Sequence, residues 1–285
     1  MSIRFTLIIA FVGSFLPISK AQSLEFGGFI GVSNYLGDLQ QTQIEMSTTN
    51  FALGIFTRAN LSNFFSIKAH FYKGEISGSD ANFETLKKVR ERNLSFRSQI
   101  YELGIQGEFS FLYFGDKGKR VAAPYLFAGI SGFHFNPQAQ FNGKWVDLQP
   151  LGTEGQGTLG SGKEKYSRLQ IAIPLGVGFN INFSDKMNVG FEVGFRKTFT
   201  DYLDDVSGAY PDITALEEGN PVAAALSFRT PEYVGHELPN PQGELRGNPK
   251  TKDMYLFAGI TFSAIIAKWL PRKKHAGKVA YAERN

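Results

Sequence analysis

The strongest pattern in the chain is a two-residue alternation. From Leu169 to Phe183, the residues Leu169, Ile171, Ile173, Leu175, Val177, Phe179, Ile181 and Phe183 alternate with Gln170, Ala172, Pro174, Gly176, Gly178, Asn180 and Asn182. That period is a β-strand with one apolar face. The run exceeds the usual strand of soluble proteins, about five or six residues, and fits a tilted strand that crosses a membrane. After Ser184-Asp185-Lys186 the alternation resumes, with Met187, Val189, Phe191, Val193 and Phe195 set against Asn188, Gly190, Glu192, Gly194 and Arg196. The two runs make a long hairpin. The same reading predicts strands at Leu24 to Leu36, Asn50 to Leu61, Phe64 to Tyr72, Phe96 to Tyr113, Tyr125 to Phe135 and Asp253 to Ile266, eight in all. In the fifth strand Tyr125, Phe127, Phe133 and Phe135 compete with Leu126, Ala128 and Ile130 for the apolar face. In the eighth Tyr255 and Phe257 compete with Leu256, Ile260 and Phe262. Pattern alone leaves both registers open.

The connections alternate in length. Ser62-Asn63, Gly115 to Arg120 and Ser184 to Lys186 are short, whereas the stretches around 37–49, 74–93, 137–165 and 200–252 are long. Tight turns at one end and long loops at the other are the asymmetry of an outer-membrane barrel, with the turns in the periplasm. The expected fold is an all-β, eight-stranded antiparallel transmembrane barrel. The soluble alternative is a lipocalin-like barrel with the same period, but its outer face would be rich in Lys and Glu. Here the polar positions are Gly, Asn, Gln and Ser with scattered charges. Tyr35, Tyr113, Tyr125, Tyr166 and Tyr255 lie near strand ends and are candidates for interfacial girdles.

Composition sharpens this picture. The chain has 27 Phe, 11 Tyr and 31 Gly against only 2 Trp, which points to sheet surfaces with close backbone packing. Cysteine is absent, so there are no disulfides, thiolate metal sites or thiol nucleophiles. The opening segment, with Arg4, an apolar stretch from Phe5 to Pro17 and Ser19-Lys20-Ala21, reads as a cleaved signal peptide covering 1–21. The barrel then occupies 22–267 and a basic periplasmic tail 268–285. Formal net charge is only +4, which gives no reason to expect nucleic acid.

Candidate chemistry is sparse. On the lumen face lie Arg58, Lys68, His70, Glu102, Gln106, Glu108, Glu192 and Arg196. Opposite charges enclosed in a narrow barrel must pair or stay hydrated. They are expected to plug the lumen as a salt-bridge network; the alternative is a conducting path. His70, His134, His236 and His275 sit on different segments and in no nucleophile motif, so no catalytic residue, cofactor, metal or small-molecule substrate is expected. Asp201, Asp204, Asp205 and Asp212 are clustered but lack the spacing of a calcium loop, and a solvated acidic loop is expected. In the tail, Lys268, Arg272, Lys273 and Lys274 form an electrostatic handle for a protein partner or anionic headgroups, or else a solvated terminus.

Four stretches carry a family resemblance. They are Gly31-Val32-Ser33-Asn34-Tyr35-Leu36-Gly37-Asp38-Leu39, Arg92-Asn93-Leu94-Ser95-Phe96 followed by Glu102 and Glu108, Pro124-Tyr125-Leu126-Phe127-Ala128-Gly129-Ile130, and Thr200-Asp201-Tyr202-Leu203-Asp204-Asp205-Val206-Ser207. Together they resemble the PorG-like outer-membrane barrels of Bacteroidota. The resemblance implies a non-enzymatic subunit of the type IX secretion machinery, associated with a periplasmic ring that includes a lipoprotein and linked in some species to gliding motility. The other readings are a stand-alone structural barrel or narrow solute channel of the OmpA or OmpW sort, and an adhesin acting through loops 137–165 and 200–252.

Overall fold

The structure, a computed structural model, describes residues 22–40, 45–83, 86–112, 122–158, 162–184 and 186–268. The predicted signal peptide, Tyr113, the turn at 115–120 and the tail residues Arg272, Lys273 and Lys274 lie outside the described residues.

The alternating runs form strands β1 (Ser23–Leu36), β2 (Asn50–Asn60), β3 (Phe65–Ser79), β4 (Ser95–Ser110), β5 (Ala122–Phe141), β6 (Lys144–Asp147), β7 (Leu169–Asn182), β8 (Met187–Thr198) and β9 (Met254–Lys268). Eight of them pair in the order β4-β3-β2-β1-β9-β8-β7-β5, and β5 pairs back onto β4, so the sheet closes on itself. All its pairings are antiparallel. Closure leaves no open edge for another chain to extend. The fold is the expected eight-stranded antiparallel barrel. β6 was not anticipated: it is a short strand in the third long loop that pairs with the far end of β5.

The period of two determines which side chains face out. Phe26, Ile30, Leu53, Ile55, Phe71, Leu103, Ile105, Leu126, Ile130, Leu175, Val177, Phe191, Phe195, Ile260 and Phe262 are all exposed, and every strand of the ring contributes. A belt of that extent is far larger than the apolar patches soluble monomers tolerate, whereas lipid accepts it. The lipocalin-like alternative therefore fails, and the barrel is a transmembrane one. No helix among the described residues is long and apolar enough to cross a membrane. The open registers resolve as well: Tyr125, Phe127, Phe133, Phe135, Tyr255 and Phe257 point inward and are buried, while Leu126, Ile130, Ile260 and Phe262 point outward.

Phenylalanine and glycine are abundant for one shared reason. A Cβ on Gly176 or Gly194 would lie 2.3 or 2.5 Å from the Phe127 ring, one on Gly178 would lie 2.1 Å from Tyr125, and one on Gly54 would lie 2.2 Å from Tyr72. Inward glycines are thus seats for inward rings on strands one or two places away in the ring. In an eight-stranded barrel the interior is just wide enough to be filled by side chains, so each ring needs a neighbour without one.

Candidate functional site

The lumen collects the charges that the sequence placed on one face. Arg58, Lys68, His70, Glu102, Gln106, Glu108, Glu192 and Arg196 are all buried inside the ring. Nearest the short-turn end, Arg58 on β2 donates from Nη1 to Glu25 (3.2 Å) and from Nη2 to Glu108 (3.2 Å). In the middle, Lys68 on β3 pairs with Glu192 on β8, and the Tyr125 hydroxyl donates to the same carboxylate at 2.9 Å. Toward the loops, Glu102 on β4 accepts from Arg196 (3.3 Å) and from the Tyr255 hydroxyl (2.6 Å), with His70 Nε2 at 2.8 Å. Each carboxylate thus has a cation or hydroxyl within hydrogen-bonding distance, which removes most of the penalty of burying charge.

Aromatic rings fill what the ion pairs leave. Lys68 Nζ lies 4.7 Å from the Phe56 centroid and the Arg196 guanidinium 4.7 Å from that of Phe257, and such contacts favour the cation further. Phe29 stacks on Tyr72 at 4.6 Å, and Tyr72 meets Phe257 edge-on at 5.6 Å. Phe133 packs on Tyr255 and Phe135, and the stack Phe135-Tyr166-Tyr202 carries the column out of the ring into the loops.

The described parts of the long loops close that end of the barrel as a cap. Two arginines tie them together. Arg92 donates to both oxygens of Asp80 (Nε 2.8 Å, Nη2 2.6 Å) and to the Asp38 carbonyl (3.0 Å), and it also reaches the carbonyl of Arg246. Arg246 donates to Glu154 (3.1 Å), to the Asp205 carbonyl (2.6 Å) and to the Ser227 carbonyl (3.2 Å). The last long loop contains three short helices, Ile213–Gly219, Pro221–Ser227 and Thr230–Val234.

This overturns two expectations. Asp201, Asp204 and Asp205 are buried in the cap and not solvated; only Asp212, which caps the helix Ile213–Gly219, is on the surface. Asp205 accepts from the Tyr166 hydroxyl at 2.6 Å and from the Thr153 hydroxyl, and burial pushes its carboxyl up to about 6. Asp204 and Asp253 share the Tyr35 hydroxyl at 2.6 and 3.3 Å. One proton serves two carboxylates there, and burial beside like charge holds both well above the usual carboxylate range. Secondly, Tyr35, Tyr125 and Tyr255 are fully buried inside the molecule and Tyr166 sits in the cap stack, so these four are not girdle residues. Their hydroxyls are instead spent on Asp204, Glu192, Glu102 and Asp205.

Of the residues singled out from sequence, the lumen set is brought together as one network. His70 belongs to it. His134 lies outside the lumen on β5, paired across from Tyr101 and Leu169. Lys268 ends β9 opposite Ser23. Among the described residues no group of His, Cys, Asp and Glu is arranged to hold a metal ion. The residues that sequence reasoning missed are Glu25, Glu154 and Arg246, whose ion-pair partners are 33 or more positions away in the chain.

A closed ring with an apolar belt, a lumen filled by paired charges and aromatic rings, and one capped end define a small transmembrane β-barrel of the outer-membrane type. The chain belongs to the family DUF6089, a domain of unknown function, which matches residues 3–224. Among curated protein sequences none matches. Solved structures that are similar include Neisserial surface protein A (7% identity, TM-score 0.42, covering 85% of this chain and 96% of that one). Others are OprG of Pseudomonas aeruginosa (8%, 0.40, 86% and 96%) and the attachment invasion locus protein Ail of Yersinia pestis, solved with a heparin analogue (8%, 0.36, 85% and 96%). At these scores the assignment of the fold rests on ring closure in the chain itself.

Proposed function

We propose that this protein is a non-enzymatic outer-membrane barrel that anchors or assists a protein secretion complex of the type IX kind, binding periplasmic ring components, a lipoprotein among them, through its short turns and its basic tail. The observation that carries the reading is the filled lumen. Three ion-pair clusters and a continuous aromatic column occupy it, and a ring of eight strands is too narrow to pass a folded cargo. A barrel of this kind works by what binds its ends and its wall. The resemblance to PorG-like barrels in the Asn34-Tyr35-Leu36-Gly37-Asp38 and Asp201-Tyr202-Leu203-Asp204-Asp205 runs supports the secretion assignment. Those runs meet in the cap: Tyr35 bonds Asp204, and Asp38 accepts from the backbone of Asn248 beside it.

The test is to tag the protein in its native host, solubilise the outer membrane gently and identify co-purifying proteins by mass spectrometry. Periplasmic ring proteins, together with loss of secreted cargo on deletion, are the expected result. Recovery of the barrel alone, under conditions that keep the ring intact, sinks the assignment. It would favour the stand-alone structural barrel, a reading that the self-sufficient closure of the ring also accommodates.

A further inference from the structure

The two ends of the lumen differ. The loop end is closed by the cap, whereas the short-turn end opens into a recess of about 170 Å³. Its wall is polar: Ser23, Asn60, Ser62, Ser66, Asn180 and Asn188 line it, and Glu25 and Glu108 reach it from the lumen. Two carboxylates there are both ion-paired to Arg58, and none of the lining residues among the described ones is Lys, Arg or His. The described wall of the recess is therefore rich in acceptors and includes two carboxylates. A second, independent feature points the same way. Asn188 is only 9% exposed, and among the described residues its side-chain oxygen has no hydrogen-bond partner, as is also true of the Asn180 side-chain oxygen. Buried acceptors without donors are uncommon in folded proteins and call for an explanation.

We infer that this recess is a binding site for a basic side chain, a guanidinium or primary ammonium group, which would supply donors to Asn180 and Asn188 and a positive charge to Glu25 and Glu108. Among the described residues no group of His, Cys, Asp and Glu there is arranged to hold a metal ion, whereas a guanidinium with its five N–H donors suits a wall of several acceptors. The chemistry has two polypeptide sources. One is this chain's own Arg272, Lys273 and Lys274, a few residues beyond Lys268, which pairs with Ser23 at the rim. The other is an Arg or Lys of a periplasmic partner. The inference concerns the purified barrel and stands whether or not the secretion assignment holds.

The experiment titrates N-acetyl-argininamide, with N-acetyl-norleucinamide as the neutral control, into isotope-labelled full-length protein in lipid nanodiscs and follows the side-chain amide resonances of Asn60, Asn180 and Asn188. The arms are the native chain, the full-length triple variant Arg272→Gln, Lys273→Gln and Lys274→Gln, and Asn188→Leu in that triple background. Saturable shifts with the argininamide alone, weakened about tenfold by Asn188→Leu, are expected in the triple variant. Weaker binding to the native chain than to the triple variant assigns the site to the chain's own tail; equal binding assigns it to a partner. Absence of saturable shifts in both chains, or equal shifts with the neutral control, overturns the site. Because Asn188→Leu removes no ion pair, retained heat-modifiable gel migration shows that lost binding is not lost folding.

Discussion

Replacing Glu102 by Gln gives the sharpest test of the claim that the lumen is a dry, paired core. Glu102 is fully buried and, among the described residues, is the only carboxylate with which Arg196 pairs. The amide introduced by Glu102→Gln would still meet His70 and the Tyr255 hydroxyl, so shape and most hydrogen bonds survive. What is lost is the charge opposite Arg196, whose remaining hydrogen-bond partner is the Gly194 carbonyl at 2.6 Å. Breaking a buried pair on one side costs about 3–5 kcal/mol, because an uncompensated charge is left in a low-dielectric interior. Removing both sides, as Glu102→Leu with Arg196→Leu, is expected to recover much of that loss, leaving about 1 kcal/mol for each hydrogen bond taken from His70 and Tyr255.

The assay is urea unfolding of the barrel in lipid vesicles, followed by gel migration and tryptophan emission and arranged as a double-mutant cycle. The same variants are examined for conductance in planar bilayers. The expected outcome is a strong destabilisation for Glu102→Gln, a large coupling to Arg196 and no conductance in any variant. If Glu102→Gln costs less than about 1 kcal/mol, as for a solvated ion pair, and ions begin to pass, the lumen is hydrated and the argument against a conduit collapses.

Three further expectations follow from the cap, the seam and the belt. Burial raises the Asp205 carboxyl from 3.8 to about 6, so the folded cap keeps a proton that the unfolded loop has already released. The associated stabilisation, about 3 kcal/mol, is complete below the lower value and is lost as pH climbs through the upper one. Asp204 and Asp253 act with the same sign. Proteolysis of the loop 199–253 should therefore be slower at mildly acidic than at neutral pH, and Asp205→Asn should flatten the profile; faster cleavage in acid would contradict it. At the seam between β1 and β9, a Cβ on Gly259 would lie 2.5 Å from the Ile30 carbonyl and 2.6 Å from Gly31 Cα, so Gly259→Val should abolish the compact gel band, and a normal band would show that the register is wrong. Val177→Lys on the exposed belt should cost about 2–4 kcal/mol in vesicles, whereas a water-facing position would show almost no effect.

The parts of the fold that were legible in the sequence are those set by local periodicity. Leu169 to Phe183 could face only one way with all of its Leu, Ile and Val on one side, and the ring forms from such runs. Charges written onto the opposite face, Arg58, Lys68, Glu102, Glu108, Glu192 and Arg196, had to meet in the lumen once the ring closed. Other signals were present but went unread. Asn142-Gly143, both with positive φ, is the dipeptide of a tight hairpin turn and marks β6. Asp212 and Asn220-Pro221 are helix starts, and both side chains cap the helices that follow them. The burial of Asp201, Asp204 and Asp205 had no local signal at all. Whether an aspartate run is solvated or enclosed depends on Tyr35, Arg246 and Thr153, which topology brings in from far along the chain.

That dependence makes Arg246 the residue on which the cap as a unit turns. Its guanidinium joins the third long loop, through Glu154, to two parts of the last one, through Asp205 and Ser227. Glu154 in turn accepts from the backbone of Ser207 at 2.9 Å and Gly208 at 3.2 Å. Arg246→Met keeps the apolar stem and deletes the charge, so Glu154 is left buried without its cation, at a cost of about 3–5 kcal/mol. These partners are in the cap, whereas the lumen pairs are made by Arg58, Lys68 and Arg196 within the strands. The damage should therefore stay local. Hydrogen exchange is expected to rise in 142–168 and 199–253 while β1 to β4 keep their protection and the barrel keeps its heat-modifiable migration. Equal loss of protection in the strands would mean that cap and ring unfold as one cooperative unit, and the ends of this barrel could then no longer be treated as separately built surfaces.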